Sequence, residues 1–202
     1  LGLMDSTVLV VLSDHGTSFG EHGSYATHED VYDEVTRVAL MMKHPSSKRW
    51  KARKINRIVQ TIDVAPTILE LVGLPVSGEV MGKSLVPLVE SPWQARGLFA
   101  ARGAKARQKP TSLGQGREKG VERRQAWDEA AVTVWKGTTA IRTPEWKLIA
   151  NTSGPSELYS MSNDPGETQN LIDRYPRIAV MLRQKLEKEI TSSQDSSRPR
   201  SR

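Results

Sequence analysis

Residues Thr7 to Leu12 read TVLVVL and run directly into Ser13-Asp14-His15-Gly16. A short unbroken run of β-branched residues and leucine predicts an interior strand buried on both faces, and the fold is expected to carry mostly parallel core strands. The polar Ser-Asp-His-Gly sequence ends that strand in a turn. In open α/β sheets, ligands sit outside the carboxyl ends of the strands, so Asp14 and His15 stand where chemistry is done. Aspartate followed by histidine can turn one oxygen and one nitrogen onto a single cation. Taken alone, these four residues are better read as a Ser-Asp capping turn than as a ligand pair.

Moving outward, Val38 to Lys43 (VALMMK) predicts a second strand, closed by His44-Pro45. Between the two runs lie Gly20-Glu21-His22-Gly23, His28, Tyr32, Glu34 and Arg37. All four histidines of the chain fall between positions 15 and 44, a concentration beside a strand end that points to a site. Arg37 reads as an ion-pair partner of Asp33 or Glu34. Val59 to Val72 has helical apolar spacing at Ile62, Ala65, Ile68, Leu69 and Val72, with Asp63 near its cap, Pro66 in its first turn and a stop at Gly73. Leu74 to Leu88 reads as a looping segment.

The character then changes. Gln94 to Gln125 holds nine Lys/Arg against two Glu with little periodicity, and reads as a basic loop or insertion. Beyond it, Val132 to Trp135, Ala140 to Arg142, Trp146 to Ala150 and Glu157 to Tyr159 predict short antiparallel strands, with turns at Lys136-Gly137, Thr143-Pro144 and Asn163-Asp164-Pro165-Gly166. Tyr175 to Ile190 reads as an amphipathic helix with Ile178, Met181, Leu182, Leu186 and Ile190 on one side.

Composition sets limits without choosing a function. The chain has 202 residues, 37% hydrophobic, a net charge of +6 and no cysteine. The missing cysteine excludes disulfides and thiolate chemistry in this chain but does not identify a compartment. No apolar run approaches membrane-spanning length, and Leu1-Gly2-Leu3-Met4-Asp5 does not read as a signal peptide. The uneven positive charge permits an anionic substrate or a polyanion.

The run LGLMDSTVLVVLSDHG, followed by GEHG, His28, YDE and RVALMMKHP, resembles the second conserved region of sulfatases, members of the alkaline-phosphatase superfamily. TIDVAPTILELVGLP, MGKSLVPLV, AIRTPEWKLI and ELYSMSNDPGETQNL are similar, in the same order, to later segments of that family. The resemblance covers nearly the whole chain except the basic segment and the tail. It implies an α/β fold: a C-terminal part of the catalytic core over 1–93, the basic insertion over 94–126, a small antiparallel sheet and helix over 127–190, and a disordered tail over 191–202.

It also implies roles. Asp14 and His15 match the pair that binds the active-site cation, calcium first, with manganese open because Asp-His is the form of bacterial sulfatases and phosphonate monoester hydrolases. His28 falls where the family has a Lys or His that contacts the sulfate, a catalytic role; His22 and Lys43 are weaker candidates that shape the loop. The implied activity is sulfuric ester hydrolysis on a sulfate ester substrate, with no nucleic acid and no protein partner assigned. The family's formylglycine nucleophile arises in a Cys/Ser-x-Pro-x-Arg motif. Ser197-Arg198-Pro199-Arg200-Ser201 lacks its last Arg, so the nucleophile and the first Asp ligands are expected upstream. Ala39 stands where the family usually has Pro. The alternatives are a phosphonate monoester hydrolase or phosphodiesterase of the same superfamily, or a non-catalytic polyanion-binding fragment.

Overall fold

The structure is a computed structural model that describes residues 2–45, 50–78, 80–90, 129–152 and 154–196. The basic segment from Gln94 to Gln125 and the Ser197–Ser201 motif lie outside the described residues.

The first strand, β1 (Leu9–Leu12), forms in the apolar run, and the Asp14-His15 turn follows its carboxyl end. A short ribbon, β2 (Ser18–Phe19) and β3 (Tyr25–Thr27), comes next, then the single-turn helix α1 (Asp33–Thr36). The chain returns as β4 (Leu40–Lys43), which pairs antiparallel with β1 in the register Val11 opposite Met41. Two expectations are corrected here. The described sheets are all antiparallel, and β1 is not interior: Leu9, Val11 and Leu12 are 42–45% exposed. An apolar run encodes that a strand is made to be covered, but among the described residues only β4 flanks it.

Helix α2 (Val64–Leu71) begins behind a 3-10 turn at Thr61–Asp63 and ends in a Schellman motif, with Gly73 N bonded to Glu70 O and Leu74 N to Leu69 O. Its buried side is not the expected apolar stripe. Asp63, Val64, Pro66 and Thr67 are buried, while Ile62, Ile68 and Val72 are 36–51% exposed. Polar bonds decide the orientation. The Asp63 carboxylate accepts from Gln60 N and Lys83 N, and Thr67 Oγ1 accepts from Leu85 N while donating to Asp63 O. The segment after Ser84 is likewise a short helix, α3 (Val86–Glu90), where a loop was expected; the Ser84 hydroxyl accepts from Val86 N at its start.

The C-terminal sheet is a four-stranded meander: β5 (Ala131–Trp135), β6 (Thr138–Arg142), β7 (Trp146–Asn151) and β8 (Glu157–Ser160). Lys136 and Gly137 both have positive φ, 42° and 84°, which is the two-residue hairpin geometry whose twist matches the flanking strands. Side chains alternate. Ile141, Leu148, Ala150 and Leu158 face helix α4 (Pro176–Ser196) and its Ala179, Leu182 and Leu186; Ala140, Ile149 and Tyr159 face the opposite way and cover Val31. α4 continues past Ile190 through a stretch expected to be disordered. There the Thr191 hydroxyl bonds to Glu187 O and that of Ser192 to Glu189 O, which satisfies carbonyls of the last turns. Among the described residues no helix is long and apolar enough to cross a membrane.

Candidate functional site

The turn after β1 is held by backbone contacts before any side chain is considered. Gly16 N donates to Val35 O at 2.7 Å, and a Cβ on Gly16 would lie 2.0 Å from the Glu34 carbonyl oxygen, so only glycine admits α1 this close. That contact draws the 28–36 segment over the strand end. His28 thereby stacks on His15, ring centroids 4.3 Å apart at 20°, and Asp14 Oδ2 lies 3.7 Å from His15 Nε2. The three residues singled out from the sequence stand together.

His15 Nδ1 lies 2.7 Å from the Gly16 carbonyl, which can only accept, so this nitrogen donates and Nε2 is the one turned to Asp14. The Asp14 carboxylate is held below its usual range by the His15 backbone N–H and then by the His15 ring, and is 87% exposed. The pair is therefore one anionic oxygen donor and one imidazole nitrogen donor on one side of the turn, a set suited to calcium or a first-row divalent ion. Among the described residues no group of three or more His, Cys, Asp or Glu is placed to hold a metal ion.

His22 stands in a different setting from His28. Its Nδ1 lies 2.6 Å from Glu34 Oε1 and its Nε2 3.0 Å from the Glu167 carbonyl; both partners accept, so both nitrogens donate and the ring is imidazolium. Burial opposes the charge, but the Glu34 carboxylate and the Glu167 carbonyl outweigh it and raise the His22 pKa. The ring also stacks on Tyr32 at 3.6 Å. Glu34 thus takes His22 rather than Arg37, and Asp33 takes Lys147 at 2.9 Å and Arg142 at 3.6 Å. Lys43, the other weak candidate, donates to the Met4 carbonyl.

A buried charge cluster, not foreseen from the sequence, locks this loop onto the C-terminal sheet. Lys147 of β7 is 1% exposed, and its Nζ lies 2.9 Å from Asp33 Oδ1 and 2.8 Å from Glu167 Oε1. Glu167 Oε2 accepts from Asp33 N at 2.6 Å. Burial raises the Glu167 pKa, with Lys147 opposing. Beside it, the Tyr32 and Tyr159 hydroxyls both donate to Glu157, and both phenols are pushed up, first by burial and then by that carboxylate. The available sequence signal was a lysine set between Trp146 and Leu148 in an otherwise apolar strand.

Residues 20–97 match the family described as N-sulphoglucosamine sulphohydrolase, C-terminal. The chain is 29% identical over 198 residues to the Delta 4,5-hexuronate-2-O-sulfatase of Bacteroides thetaiotaomicron, covering 96% of this chain and 36% of that one. It is 28% identical over 189 residues to arylsulfatase K of Homo sapiens, covering 92% and 31%. The chain therefore spans about a third of the length of these curated relatives. The phosphonate monoester hydrolase structure from Agrobacterium radiobacter superposes with a TM-score of 0.69 at 20% identity, over 95% of this chain and 36% of that one, and shows a shared fold. In the order of its motifs and in its fold, the chain is similar to the C-terminal part of sulfatases.

Proposed function

We propose that this chain contributes to a sulfuric ester hydrolase, with Asp14 and His15 as metal ligands and His28 as a catalytic residue facing the sulfate. The observation that carries the reading is the convergence of these three side chains at the carboxyl end of β1. A divalent cation held by Asp14 and His15, calcium in the first instance and manganese as the alternative, would polarise the ester oxygens. His28, stacked on His15, would donate to oxygens on which negative charge develops as the ester bond breaks. His22, Glu34 and Lys147 hold the loop that presents His28. The chain has no cysteine, and the formylglycine that the resemblance implies is assigned outside these 202 residues.

The test is aryl sulfate turnover together with metal content by mass spectrometry. The 202-residue chain is expected to bind divalent ions weakly and to show no turnover; nanomolar affinity in titration calorimetry would count against a partial site. A longer protein that includes this chain is expected to turn over. There, Asp14→Ala should abolish activity with loss of metal, and His28→Ala should lower activity with metal retained. Phenyl phosphonate assayed in parallel separates the phosphonate hydrolase reading, which the Asp-His pair also supports. Polyanion binding without cleavage of either ester would replace both.

A further inference from the structure

Glu167 lies at the end of the turns that follow β8, far in the chain from Asp14, His15 and His28. These turns are built from their own residues. Asn163 N and Asp164 N donate to Ser160 O, and Glu167 N donates to Asp164 O. The Asp164 carboxylate accepts from Thr168 N, Thr168 Oγ1 and Gln169 N. Within this frame Glu167 has a φ of 53°, in the left-handed region that residues with a Cβ rarely adopt, and it is 1% exposed. Such a conformation persists where its surroundings hold it.

In that conformation the carbonyl and the carboxylate of Glu167 both meet the site loop. The carbonyl accepts from His22 Nε2 at 3.0 Å, and Oε2 accepts from Asp33 N at 2.6 Å. His22 and Asp33 stand on either side of His28 in the chain. Asp33 also opens α1, whose Val35 carbonyl accepts from Gly16 N beside Asp14 and His15. One residue of the C-terminal turn thus fixes both ends of the segment that carries His28, and through α1 the turn that carries His15. These are the two sides that meet in the His15–His28 stack.

Charge alone does not account for the arrangement. Oε1 faces Lys147 Nζ at 2.8 Å, but Lys147 has a second carboxylate in Asp33 at 2.9 Å. A counter-charge for Lys147 needs neither a left-handed backbone nor a bond to the Asp33 N–H. What Glu167 adds is an acceptor for partly buried donors, and leaving such a donor without its acceptor is costly. We propose that Glu167 is a positioning residue for the candidate centre: as a hydrogen-bond acceptor at both ends of the 22–33 segment, rather than as a counter-charge to Lys147, it holds His28 against His15. The consequence for turnover rests on the hydrolase reading above, whereas the placement of His28 does not, so the two can fail separately.

The test compares Glu167→Ala with Glu167→Gln. Both remove the charge, but the glutamine keeps a side-chain oxygen that can accept from Asp33 N. The 202-residue chain has four histidines, whose ring C–H resonances are assigned by single His→Gln variants and followed at constant pH. Glu167→Ala should move the His15 and His28 resonances toward those of the unfolded chain, and Glu167→Gln should leave them near their starting positions. Leu158→Ala, which loosens the same sheet against α4, should also leave them in place. In a longer protein that includes this chain, Glu167→Ala should lower kcat about tenfold with KM and metal content unchanged, and Glu167→Gln should restore most of the rate. If Glu167→Ala loses the dispersed spectrum of the folded chain, the Ala and Gln variants are compared together with Lys147→Met, which removes the cation left facing them. Equal displacement in the Ala and Gln variants, unmoved His15 and His28 resonances in the folded Ala variant, or the same displacement in Leu158→Ala would overturn the proposal. Turnover that survives His28→Ala would remove the hydrolase reading alone, and the resonances would still decide the placement.

Discussion

At the scale of single residues, the two histidines of the site loop are separated by their hydrogen bonds. His15 Nδ1 donates to the Gly16 carbonyl and leaves Nε2 toward Asp14, whereas His22 is held between two acceptors, Glu34 Oε1 and the Glu167 carbonyl. The His22 pKa is raised above its ordinary 6.5, so the stability it contributes is fully present below pH 6.5 and is lost as pH rises through the folded-state value. An NMR titration should place His22 above 6.5, and Glu34→Gln should lower it. A His22 titrating below 6.5 in the folded chain would contradict the assignment. Lys147 is the second residue that matters. Replacing it by Met leaves Glu167 without its cation in a buried setting and Asp33 with Arg142 alone, and should cost about 3–5 kcal/mol in denaturant unfolding.

At the scale of elements, β7 is the member on which both halves of the described structure rest. Leu148 and Ala150 face α4, while Lys147 and Ile149 face the site loop. Leu158 of β8 is fully buried against α4, so Leu158→Ala should cost about 2–5 kcal/mol, since removed methyl groups leave a cavity in a layer that cannot collapse freely. Calorimetry or urea melts check this. The same substitution at Val180, 56% exposed on α4, should change stability little.

At the scale of the whole molecule, the apolar surface is unevenly distributed. Leu9, Val11, Leu12 and Met41 on the β1–β4 ribbon and Ile62, Ile68 and Val72 on α2 are all more than a third exposed, and a two-stranded ribbon of this kind is marginal in water by itself. The chain spans about a third of its curated relatives. The 202-residue chain is expected to self-associate through these faces. Val11→Thr with Met41→Thr should reduce association in sedimentation velocity while leaving the melting of the C-terminal sheet unchanged. Undiminished association would place the contact elsewhere.

Much of this arrangement was legible in the residues themselves. The strand at TVLVVL, the Asp-His turn after it, the Lys136-Gly137 hairpin, the stop at Gly73 and the amphipathic C-terminal helix depend on local propensity and on short-range periodicity, which a single chain segment carries. The family order of the motifs also identified Asp14, His15 and His28 as one group. What the sequence could not disclose is which faces are covered. The direction of the β1–β4 pairing, the polar seam that turns α2's apolar stripe outward, and the burial of Lys147 between Asp33 and Glu167 all depend on partners distant in the chain. Periodicity records that a face is apolar and spacing records that two groups are near in sequence, but burial and ion pairing are properties of what packs against them, and that is decided only by the tertiary structure.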